Sequence, residues 1–78
     1  MSELTTSDLT KVEDVQPRAQ KALRVSPIYA LRELRVEQTG NALLISGLVA
    51  SFYHKQLAQE VVRTVSEGIE VINSIHVL

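Results

Sequence analysis

The sequence predicts an α+β fold in the order αββαβ, a two-layer sandwich whose three-stranded mixed sheet carries two helices on one face. Two observations lead there. Apolar residues recur with a helical period in two segments, Val15 to Leu23 and Leu57 to Val65. They recur with a period of two in three others, around Val36, around Ile45, and from Val71 to Val77. A chain of 78 residues leaves room for one domain only.

The first 13 residues are rich in Ser, Thr, Asp and Glu and hold only isolated apolar side chains, so they read as a flexible acidic tail ahead of a single domain over 14–78. Asp14 suits the cap of the first helix, with Val15, Ala19, Ala22 and Leu23 on one stripe. Pro17 fits that helix only in its first turn, and Pro27 closes it, because proline disfavours helical geometry at Ser26. Leu31 to Gln38 then alternates as a half-buried strand. A Thr39-Gly40 loop would set Gln38 opposite Asn41, Val36 opposite Leu43 and Leu34 opposite Ile45, which keeps the apolar side chains on one face.

Ala42 to Ala50 returns as the second strand. Ser51 is a good N-cap for the second helix, whose stripe is Leu57, Ala58, Val61 and Val65. Glu67-Gly68 ends it, with Gly68 available for a left-handed cap. The third strand, Ile69 to Leu78, is expected parallel to the second after a right-handed crossover. Its place beside the first strand or the second is left open.

Composition excludes several classes. There are no cysteines, so disulfides, thiolate metal sites and cysteine nucleophiles are out. His54 and His76 are far apart and have no carboxylates at ligand spacing, so neither metal nor cofactor is expected. No catalytic triad or Gly-rich phosphate loop is present, and an enzyme is not expected. The longest apolar run, Ala42 to Ala50, is broken by Ser46 and Gly47 and falls far short of the roughly 20 residues that span a bilayer. The N-terminus lacks the basic start and apolar stretch of a secretory signal, which favours a cytoplasmic location.

Charge divides unevenly along the chain. Over residues 1–15 Glu3, Asp8, Glu13 and Asp14 outweigh Lys11, whereas residues 16–78 are mildly basic. The order of elements has some similarity to RNA-binding KH-type domains, but the Gly-x-x-Gly clamp is absent, so no nucleic acid partner is expected.

One ordered set of residues carries a family likeness. Leu43, Ile45, Ser46, Gly47 and Val49 in a strand, Ser51 capping the next helix, and Val71, Asn73, Ile75 and Val77 in the last strand together resemble a BON domain. This is the small module of bacterial osmotic-shock and secretin-associated proteins, and the likeness extends over residues 15–78. The resemblance implies a non-enzymatic domain associated with phospholipid surfaces and with protein assembly. It also implies an envelope location, which the missing export signal does not support.

Three groups of residues are candidates for a role. Leu44, Leu48, Ile72 and Leu78, with Leu31 as a further member, fall on the strand face away from the helices, flanked by Glu33, Arg35 and Glu37. A contiguous apolar patch there would be an interface for a second copy or a protein partner. A domain this small buries only about 60% of its unfolded surface, so association would also add stability. Arg18, Lys21 and Arg24 recur on one face of the first helix and could meet an anionic lipid surface, with Phe52, Tyr53 and Lys55 as an interfacial anchor. The ordinary alternative is a solvated helix face. Gly47 and Asn73 read as structural, Gly47 admitting a helix close to the sheet and Asn73 satisfying backbone groups.

Overall fold

The first helix, α1, spans Val12–Arg24 in a computed structural model that describes residues 12–78. Its start lies ahead of the expected cap at Asp14, and the reason is burial. Val12 is 7% exposed and joins Val15, Ala19 and Leu23, each at 0%, in the stripe that enters the core. Pro17 therefore sits inside the helix instead of in its first turn. The missing proline N–H leaves the carbonyl of Glu13 without its helical donor, which is tolerable because Glu13 is exposed to water. Most of the expected acidic tail, residues 1–11, lies outside the described residues.

After Arg24 the chain turns at Ser26 and Pro27. The Ser26 hydroxyl accepts from the Ile28 N–H at 3.0 Å, and its carbonyl accepts from Arg32 Nε at 2.8 Å. A short 3-10 turn, Tyr29–Leu31, takes the place of the expected start of the first strand. The Leu34 N–H donates to the Leu31 carbonyl at 3.3 Å, so both leucines turn inward, at 0% and 2% exposure. Leu31 is thus a core residue and not part of the open face.

Strand β1 is Arg35–Thr39 and pairs antiparallel with β2, Ala42–Ser46. Val36 faces Ile45 and Thr39 faces Ala42, so the loop is Gly40-Asn41, one residue later than the expected Thr39-Gly40. Gly40 has φ +60, which puts glycine at the first central position, as in a type II′ hairpin turn. The slip moves the register by two residues and leaves every side chain on its expected face.

Gly47, at φ +135, interrupts the second strand, which resumes as β3, Leu48–Val49. Ser51 caps helix α2, Phe52–Ser66, its Oγ accepting from the His54 N–H at 3.2 Å. The buried centre of α2 is Ala58, Val62 and Ser66, with Leu57, Val61 and Val65 partly buried around it. Val62 was outside the expected stripe. The helix packs on both α1 and the sheet, so its apolar arc is broader than a one-sided stripe.

The last strand runs as β4, Glu70–Asn73, and β5, His76–Val77. β4 is parallel to β2 and lies beside it, giving the order β1-β2-β4; β5 pairs in parallel with β3. The break at Gly47 does not shift the register. Ser74, His76 and Leu78 N–H groups donate in succession to the Ile45, Gly47 and Val49 carbonyls, all at 2.9 Å. The result is a small α+β domain with both helices packed against a mixed sheet.

Candidate functional site

Alternation along the strands sorts the sheet into two faces. Val36, Leu43, Ile45, Val49 and Ile75 point to the helices and are at most 4% exposed. On the other face Leu48 is 61% exposed, Ile72 39% and Leu78 83%. Leu44 is half-buried and is the register partner of Ile72 on the adjacent strand. Leu48 pairs with His76, and the Leu78 N–H bond to the Val49 carbonyl sets Leu78 at the next step. Leu44 and Ile72 thus form one cross-strand pair, and Leu48 and Leu78 lie together further along the same face, with Ser46 and Ser74 between the two pairs. Arg35 and Glu37 border them on β1, their side chains 3.6 Å apart and well exposed. Glu33 lies in the turn ahead of that strand and not on it.

Of the basic candidates, Arg18 lies far from Tyr53. Arg18 donates from a guanidinium nitrogen to Glu67 Oε2 at 2.8 Å, just past the C-terminal end of α2. Tyr53 lies at the N-terminal end of that 15-residue helix, so roughly 22 Å of helix separates Tyr53 from the Arg18 contact. Lys21 and Arg24 are exposed on α1. Phe52 and Tyr53 are also exposed, and the Tyr53 ring lies 5.7 Å from that of His54.

Gly47 makes its close approach to Leu34 in the segment before β1, not to a helix. A Cβ built on it would lie 2.6 Å from a Leu34 methyl carbon and 3.5 Å from Leu34 Cα. Asn73 ties the last strand to α2. Its Nδ2 donates to the Lys55 carbonyl at 2.9 Å and to Gln59 Oε1 at 3.1 Å, while its Oδ1 accepts from the Ile75 N–H at 3.2 Å. At the end of α2 the left-handed position falls first on Glu67, at φ 54 and ψ 42, and then on Gly68 at φ +87.

Sequence reading missed two glutamines that the fold puts to use. Gln16 and Gln20 stand one helical turn apart on α1 and reach across to β1. Gln16 Nε2 donates to the Val36 carbonyl at 2.6 Å. Gln20 Nε2 donates to the Leu34 carbonyl at 2.9 Å, and its Oε1 accepts from the Val36 N–H at 2.8 Å. The only advance signal is their i, i+4 spacing, which puts both on one helix face.

Among the described residues, no group of three His, Asp or Glu side chains is placed to hold a metal, and no helix is long and apolar enough to cross a membrane. His54 Nδ1 is buried with no hydrogen-bond partner in the described structure. The chain matches no family model, no curated protein and no solved structure.

Proposed function

We propose that this chain is a non-enzymatic interaction module that docks a second copy or another protein through the open face of its sheet. One observation carries the reading: Leu48, Ile72 and Leu78 stay 39–83% exposed on the face of the sheet away from the core, with Leu48 and Leu78 together at one end of it. Fully burying a leucine or isoleucine is worth about 1.5–3 kcal/mol, so the patch supplies enough driving force for association. The likeness to BON domains, with their role in assembly, points the same way.

Size-exclusion chromatography with light scattering tests it. The wild-type chain is expected to associate, and the double substitution Leu44→Ser/Leu48→Ser to shift it to a monomer of unchanged fold by circular dichroism. A wild type that stays monomeric at high concentration, or an association indifferent to both substitutions, counts against it.

A second reading is peripheral binding to anionic phospholipid, favoured by the exposure of Phe52 and Tyr53, at 69% and 66%. Lys21 and Arg24 would supply the charge, each cation contributing about 1 kcal/mol near an anionic membrane. Arg18 contributes less, since Glu67 already neutralises it. Liposome co-sedimentation should then require anionic lipid and weaken with salt. Binding that ignores salt would reject this reading.

A further inference from the structure

The two edges of the sheet are finished differently. The bonds from Ser74, His76 and Leu78 to Ile45, Gly47 and Val49 turn the even-numbered residues of the last strand toward its neighbour. Val71, Asn73, Ile75 and Val77 therefore turn their main-chain groups outward. On β1 the corresponding outward groups are the Leu34 carbonyl and the N–H and carbonyl groups of Val36 and Gln38. Those of Leu34 and Val36 are held by the amides of Gln16 and Gln20, which stand where a further strand would lie, and only Gln38 at the hairpin end is left open. On β4 and β5 only the Ile75 N–H is closed off, by Asn73 Oδ1. The outward N–H and carbonyl groups of Val71 and Asn73 have no partner among the described residues, and no strand lies beyond β4.

A cleft of about 380 Å³ runs beside this open stretch, lined by Gln59, Arg63 and Ser66 of α2 and by residues 68–71. An edge with unpaired main-chain groups next to a helix-walled cleft is the arrangement used for strand addition, where main-chain bonds give affinity and alternate side chains give selectivity. Arg63 is the cation of the cleft, on the helix side of the strand. Glu70 lies at the strand end of the same cleft, but no ion pair joins it to Arg63 among the described residues.

We propose that the β4 edge accepts an extended peptide segment of another protein, paired main chain to main chain at Val71 and Asn73, with an acidic side chain directed at Arg63. Side chains on the outer side of that segment are apolar, because they lie beside Ile72. A second copy of β4 does not meet these terms. The residues it turns to the helix side are Val71 and Asn73, neither of which brings a carboxylate to Arg63. The site touches the open sheet face at Ile72 but does not depend on docking there.

The probe is the blocked peptide acetyl-Val-Asp-Val-Asp-Val-amide, titrated to millimolar concentration into the 15N-labelled full chain. The Val71 and Asn73 amides are expected to shift and to exchange with solvent roughly tenfold more slowly, with smaller shifts at Gln59 and Arg63. In antiparallel pairing the aspartates stand opposite Val71 and Asn73 and turn their own N–H groups to β4, so N-methylation of both removes the donors that reach the edge and should abolish binding. Arg63→Glu lies on the exposed side of α2, leaves the fold intact, and should weaken binding roughly tenfold while admitting the peptide with lysine in place of aspartate. Equal binding of the N-methylated peptide would overturn the proposal, as would silence of the Val71 and Asn73 amides at saturation. Protection of those amides that grows with protein concentration alone would assign the edge to a second copy instead.

Discussion

Leu43 and Leu44 are neighbours in the chain, yet the first is fully buried against the helices while the second is half-buried on the other side of the sheet. Val49 and Leu48 repeat the contrast at 4% and 61% exposure. The same residue types thus serve two ends on one strand. Inward side chains exchange water for close-packed neighbours and hold the domain together. Outward ones remain in contact with water and contribute less to folding.

The strongest way to break the contrast is at its pivot. Gly47→Val introduces a branched side chain where φ is +135 and where even a Cβ meets Leu34 at 2.6 Å. Strain and overpacking together should cost about 3–5 kcal/mol, read as a large fall in the urea midpoint. A variant with an unchanged midpoint would show that Leu34 moves aside at no expense.

A paired truncation sharpens it next. Leu43→Ala removes a side chain at 0% exposure and should cost about 2–5 kcal/mol, whereas Leu48→Ala should change monomer stability by no more than about 0.5 kcal/mol. Thermal unfolding at a concentration too low for association separates the two. Equal losses would mean that the outer face is packed within the monomer, and the interface reading would go with it.

The smallest effect lies at the end of α2, away from either face. Glu67→Gly relieves a left-handed conformation that suits glycine, but it removes the ion pair with Arg18, whose partners are 52% and 42% exposed. An ion pair so open to solvent is worth roughly 0–1 kcal/mol, so the change should be neutral or stabilising by up to about 1 kcal/mol. A clear loss of stability would give the pair more weight than its exposure suggests.

Much of this was legible in the residues because a strand has a period of two. The faces of Leu44, Leu48, Ile72 and Leu78 followed from alternation alone, and they survived an error in the hairpin loop because a shift of two residues changes no face. The same property made the register itself invisible, since only the turn chemistry of Gly40 distinguishes the two pairings. Leu31 failed for a related reason. Over three or four residues, a strand and a tight turn cannot be separated by pattern, and the Leu31 to Leu34 spacing suits the turn. Gln16 and Gln20 were not found because polar residues at the border of a helix resemble a solvated face until the strand they reach has been placed.

The parallel pairing of β4 with β2 also carries a kinetic meaning. β1 and β2 meet across a two-residue loop, a closure that takes place in microseconds. Every bond between β2 and β4, by contrast, requires the whole of α2 to be threaded back along the sheet. The hairpin closes over a local loop, whereas the C-terminal strand pairs only through a long-range closure over α2, the kind of contact that slows folding overall. Asn73 fastens the far side of that long-range closure, from the strand to the Lys55 carbonyl and to Gln59.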